Sequence, residues 1–141
     1  KVIKTLVSAD NGTANYNETK AIYQYLIDNQ IPKIDIFLDF AGFDTYDSMY
    51  RAKNNFQVET LLIPNHLNYC ARSVYISRSL GIDAYCVTMA KLTSLRTISG
   101  LDREKLATIK ARLNIKFSSK AYFATDDLYP ISGPGNAGDF Y

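Results

Sequence analysis

At 141 residues the chain is the size of one ordinary domain, and 47% hydrophobic with 21% charged residues excludes wholesale disorder. Its 16 basic and 14 acidic side chains leave a net charge of +2, which excludes the basic field of a dedicated nucleic-acid binder. A single histidine, His66, excludes a His-rich metal site, two cysteines are too few for a disulfide framework, and the apolar runs are too short to span a bilayer.

The chain opens at Lys1 and is strand-like from Val2, with no signal peptide pattern. That abrupt start predicts a piece of a longer protein. Residues 2–8 are rich in β-branched side chains and run into Asp10-Asn11-Gly12, a turn signal, so the first strand is expected there. A helix follows over 18–30, with Asn17 as N-cap and Glu18 at the positive end of its dipole. Its Ile22, Tyr25, Leu26 and Asn29 fall at helical spacing, which predicts an apolar stripe over the first two turns. The second strand is expected at 34–40. A helix over 45–56 follows, capped by Asp44 or Thr45, with Met49, Ala52 and Phe56 on one face. The third strand is expected at 58–63 and its helix at 66–80, with Leu67, Cys70, Ala71 and Val74 as the stripe and Gly81 closing the helix. The fourth strand is expected at 84–89. The last helix, over 102–114, starts at Asp102 and aligns Leu106, Ile109 and Leu113.

Ile36-Phe37-Leu38 and Leu61-Leu62-Ile63 do not alternate with polar residues, as suits strands covered on both faces. Strands alternating with helices predict an α/β fold: a Rossmann-like, open, mostly parallel sheet with helices on both faces. Residues 1–117 would form that domain. Residues 118–141, with Pro130, Gly133, Pro134, Gly135 and Gly138, would form a loop-rich tail frayed at its end. Cys70 and Cys86 read as core residues in different elements.

Ligands of open parallel sheets bind beyond the carboxyl ends of the strands. There the chain carries Asp10 and Asn11 after the first strand, Asp39, Thr45, Asp47 and Ser48 after the second, and His66 after the third, with Glu18 and Arg72 on the helices that follow. Each has a plainer reading. Asp10-Asn11-Gly12 is also a turn, Glu18 a dipole partner, and Thr45, Asp47 and Ser48 capping residues. His66 is also a surface or capping group, and Arg72 a surface charge or an anion clamp. No Gly-x-Gly-x-x-Gly, Walker or Gly-x-Ser-x-Gly motif is present. Two N-glycosylation triplets, at Asn11 and Asn17, are short enough to arise by chance.

Residues 35–52, running Asp-Ile-Phe-Leu-Asp-Phe-Ala-Gly-Phe-Asp-Thr-Tyr-Asp-Ser-Met-Tyr-Arg-Ala, closely resemble the signature of the SanA/YdcF/ElyC-like bacterial envelope proteins. The segment from Leu6 to Asn11, with Asn17-Glu18, and the Arg103-Glu104 pair resemble further family elements. The resemblance covers roughly residues 2–117. It implies a Rossmann-like fold whose own first strand and helix lie before this sequence. It also implies a place on the outer face of the cytoplasmic membrane, anchored through an N-terminal segment not present here. The function it implies is peptidoglycan or lipid-carrier metabolism.

The chain departs from the family at two places. The family His position holds Tyr69 and the family Gln position holds His66, about one helical turn away, while Arg72 aligns. Ala9 replaces a family Gly. In the enzyme reading, His66 exchanges protons, Glu18, Asp47 and Asp10 position an envelope precursor or a metal, and Arg72 holds an anion. The alternatives are a non-catalytic binding or scaffold module, or a nucleotide-type ligand binder. The sequence names no cofactor, substrate or oligomeric state.

Overall fold

The computed structural model describes residues 4–9, 18–88, 98–122 and 124–136. The chain forms two compact units, one from Lys1–Val58 with Ala121–Tyr141 and one from Glu59–Lys120. The first contains strand β1 (Thr5–Ser8), helix α1 (Glu18–Asp28), strand β2 (Ile36–Asp39) and helix α2 (Thr45–Asn54). The second contains β3 (Thr60–Asn65), α3 (Leu67–Ser79), β4 (Asp83–Thr88) and α4 (Ile98–Lys116).

β1 and β2 pair in parallel, with Val7 opposite Leu38 and Ser8 opposite Asp39. β3 and β4 also pair in parallel, with Ile63 opposite Cys86. The α/β class, the parallel pairing and the flanking helices follow the sequence reading. The single four-stranded sheet does not: the described strands make two two-stranded sheets. Apolar runs and turn residues specify which segments extend. Which strand edges meet is a tertiary choice that the period of the pattern does not encode.

In the first unit β2 is buried on both faces. Ile36 and Leu38 join Val7 and Tyr23 in a core that Leu26, Ile27, Ile31 and Phe40 extend. On the other face Phe37 meets Phe56 edge-on at 6.2 Å, and Phe56 stacks on Tyr129 at 6.1 Å. Of the stripe expected on α1, only Leu26 packs on this core. Thr19 and Tyr23 are buried, whereas Ile22 and Tyr25 face solvent. Tyr carries enough polar character to weaken a hydropathy pattern, yet its ring supplies more buried area than Ile.

The tail is not frayed as far as Asn136. Tyr129 and Ile131 donate backbone bonds to the carbonyls of Asn55 and Phe56, each at 2.8 Å. The Asn136 amide accepts from Leu38 N–H at 2.6 Å and donates to Leu38 C=O at 3.0 Å. It thereby satisfies both backbone groups of a strand residue, as a neighbouring strand would. Gly135 is required for this approach, because a Cβ there would collide with the carbonyl oxygens of Ile36 and Lys33.

In the second unit α3 packs on the β3–β4 pair and α4 packs on α3, so α4 is a layer beyond the sheet's own helix. Asp102 lies inside α4 and not at its start. Leu106, Ile109 and Leu113 do share a face, but it is the solvent face. Cys70 of α3 and Cys86 of β4 are not separate core thiols. They form a disulfide, with their Cα atoms 5.7 Å apart, within the range a bridge needs. The parallel register turns Cys86 to the face that α3 covers, and a spacing of sixteen along the chain carries no sign of that.

Three helices end in the same closure. In each, a residue in the left-handed region and the residue after it donate their N–H groups back to carbonyls of the last turn. Gly81 (φ 81°) does this after α3, Gln30 (φ 64°) after α1 and Ser118 (φ 48°) after α4. Only the first is a glycine. Gln30 is exposed, so the Gln30→Gly variant is expected to be more stable by about 0.5–1 kcal/mol in urea unfolding. An unchanged or lower midpoint would contradict a left-handed Gln30.

Candidate functional site

The carboxyl end of β2 carries a buried polar cluster built from the signature residues. Asp39, the last residue of β2, is almost wholly buried. Arg51 of α2 donates Nε–H to its Oδ1 at 2.7 Å, and the Ser8 hydroxyl donates to its Oδ2 at 2.8 Å. The Ala41 backbone N–H adds a bond of 3.2 Å to Oδ1. The Ser48 hydroxyl sits 3.0 Å from that of Ser8. Asp39 and Arg51 are therefore a buried, hydrogen-bonded ion pair, and the parallel register that sets Ser8 opposite Asp39 completes it. Gly42 lies over the two serines. A Cβ at that position would collide with Ser8 Oγ and lie 2.8 Å from Ser48 Oγ, which explains the glycine in the loop.

Helix α2 starts at this edge. Asp44 is its N-cap and accepts from Asp47 N–H at 2.9 Å, which settles the choice between Asp44 and Thr45. Asp47 is buried and accepts from the Tyr122 backbone N–H at 3.2 Å. Thr45 and Ser48 are half-buried beside it. Tyr46, also buried here, has its phenol pushed above the ordinary value of about 10, first by burial and then by Tyr50, Asp47 and Asp44. The folded state therefore holds that proton longer than the unfolded state does. Tyr46 contributes full stability below about pH 10, and the contribution is lost as pH rises through its folded value. Urea midpoints taken between pH 9 and 11 should fall less steeply for Tyr46→Phe than for the wild type.

Glu18 opens α1 and is exposed. Asp10 and Asn11 lie outside the described residues. His66 and Arg72 belong to the second unit. His66 occupies the N-cap position of α3, but its side chain makes no capping bond and is exposed. The Asn65 side chain accepts from His66 N–H at 2.8 Å instead. Arg72 is ion-paired to Glu104 of α4, with Nε 2.7 Å from Oε1 and Nη2 3.2 Å from Oε2. Its guanidinium also lies 5.9 Å from the centre of the Tyr69 ring. Arg51 was not among the site residues named from the sequence. Its signal was present all the same, because it closes the 35–52 signature twelve positions after Asp39. Among the described residues no group of three or more His, Cys, Asp and Glu could hold a metal ion.

Over 123 residues, 87% of its length, the chain is 39% identical to the SanA homolog of Haemophilus influenzae. It spans about half, 50%, of that curated relative. No protein-family model matches the chain, and no solved structure does. The identity extends well beyond the short signature that builds the Asp39–Arg51 cluster, and on that ground the chain belongs to the SanA-like family.

Proposed function

We propose that the chain is part of a bacterial cell-envelope protein that binds or acts on an envelope precursor, either phosphorylated or glycan-linked. The ligand would sit beyond the carboxyl ends of β1 and β2, against the start of α2. The observation that carries this reading is the buried Asp39–Arg51–Ser8–Ser48 cluster. It fixes that edge rigidly, as a preorganised site requires. Thr45, Asp47 and Ser48 would contact the ligand from α2, Asp10 and Asn11 from the loop after β1, and Glu18 from α1. In the second unit, His66 would serve as a proton-exchanging group, and Arg72, which is paired with Glu104, would hold an anion. The family fold, a doubly wound sheet with its first strand in the middle, belongs to the same reading.

The outer face of the cytoplasmic membrane is the proposed location. The Cys70–Cys86 disulfide supports it, because such bonds persist in oxidising compartments. Among the described residues no helix is long and apolar enough to cross a membrane; anchoring through an N-terminal segment is part of the same proposal.

A non-catalytic variant of the reading has one observation in its favour. The hydroxyls and carboxylate of the cluster satisfy one another, and no histidine stands among them. The test is complementation of an envelope-defective strain by the full-length gene. Glu18→Gln and His66→Ala are expected to abolish rescue while leaving the protein level unchanged. Normal rescue by both would discard the catalytic form, and normal rescue by Asp47→Asn as well would discard the ligand site.

A further inference from the structure

Helix α4 carries an apolar stripe that the described residues leave exposed. Leu106 is 67% exposed, Ile109 54%, Leu113 48% and Phe117, just past the helix, 70%. At 100° per residue these four positions fall within an arc of about 80°, along roughly 16 Å of helix. The opposite face is the one that packs. Ala111 is buried there and Ala107, Thr108 and Ile115 are half-buried, toward α3. The stripe is thus not a core face left open by a shift in the helix. The helix has two apolar faces, and among the described residues only one is packed.

The charges beside the stripe identify what the second face fits. Lys105, Arg112 and Lys116 lie along one border and Lys110 along the other, and all are exposed. Lys116 Nζ lies 6.0 Å from the Phe117 ring centre, so the charge and the apolar surface are contiguous. Of the two acidic residues on the helix, Glu104 is bound to Arg72, and Asp102 stands at the N-terminal end of the stripe's register. A second copy of this face would set lysine against lysine. A basic-bordered apolar face instead complements a surface that is anionic outside and hydrocarbon within.

We infer that α4 is an interfacial helix that lays Leu106, Ile109, Leu113 and Phe117 into the headgroup boundary of an anionic lipid bilayer, with the bordering lysines and Arg112 against the lipid charges. The lysine stems are long enough to reach the headgroups while the apolar residues enter. This inference does not depend on the ligand site proposed above.

The experiment is co-sedimentation of the 141-residue chain with vesicles of pure phosphatidylcholine and of equal phosphatidylcholine and phosphatidylglycerol. The chain is expected to bind the anionic vesicles, to bind the neutral ones at least tenfold less, and to be released by salt. Lys110→Glu with Lys116→Glu should lower the partition coefficient at least tenfold, since each basic residue at such a surface counts for about fivefold. Leu113→Ser with Phe117→Ser should lower it as far while leaving the melting midpoint unchanged, because both side chains are exposed. No binding to anionic vesicles, or equal binding by wild type and variants, would overturn the inference. So would a wild-type dimer, seen by sedimentation, that Leu113→Ser with Phe117→Ser turns into a monomer without any lipid binding.

Discussion

Reducing the Cys70–Cys86 bridge is expected to lower the melting midpoint by about 10 °C. The bridge closes a loop of 16 positions between α3 and β4, and a loop of that size restricts the unfolded chain by about 3 kcal/mol. For a chain of this length each kcal/mol moves the midpoint by roughly 3–5 °C. The double variant Cys70→Ala with Cys86→Ala should show a similar loss without reductant, and adding reductant to it should change nothing further. Calorimetry with and without dithiothreitol makes the comparison. A wild type indifferent to reductant would mean that the two sulfurs are not joined. The same experiment bears on location, because a domain that depends on this bond is at a disadvantage wherever thiols are kept reduced.

The second large effect belongs to Arg51. Removing one partner of a buried ion pair leaves a charge with neither water nor counter-ion, at a cost of about 3–5 kcal/mol. Arg51→Leu should therefore be strongly destabilising in urea unfolding, because Asp39 is almost wholly buried. Arg51→Leu combined with Asp39→Asn should recover part of that loss, since the remaining group is neutral and Ser8 and the Ala41 N–H can still bond it. Arg51→Lys should fall between, because an ammonium cannot reproduce the planar donor at Asp39 Oδ1. If the double variant were less stable than Arg51→Leu alone, the ion-pair account of the cluster would be wrong.

How much of this was legible in the sequence differs from one element to the next. The strands were readable, because Ile36-Phe37-Leu38 and Leu61-Leu62-Ile63 are apolar without alternation and end at turn residues. Helix closures were readable only where glycine stands. Gly81 was expected, whereas Gln30 and Ser118 adopt the same geometry with no residue signal. The faces of the helices were harder. On α4 the period of Leu106, Ile109 and Leu113 was right and the conclusion was reversed, because the packed face uses Ala107 and Ala111, small residues that bring helices close while adding little hydropathy. The disulfide and the split into two strand pairs depend on which parts meet in space, and local pattern does not encode that. At the site, Asp39 and Arg51 both stood in the signature, but its pattern did not say that they pair with each other.

The Asn136 contact to Leu38 has a consequence for synthesis. It joins positions 98 residues apart, and closing so long a loop of flexible chain costs about 4 kcal/mol in entropy. The ribosome delivers residues 59–120 in full before it has made the segment that completes the first unit. The second unit, although it starts later in the chain, is thus the first that can finish folding, an inversion of the usual order in which amino-terminal parts lead. Once folded, it replaces most of the flexible loop with a fixed body. Asn55 then holds the returning chain through the carbonyls of Thr125 and Asp127, and residues 129–136 close over β2 as the step that completes the first unit.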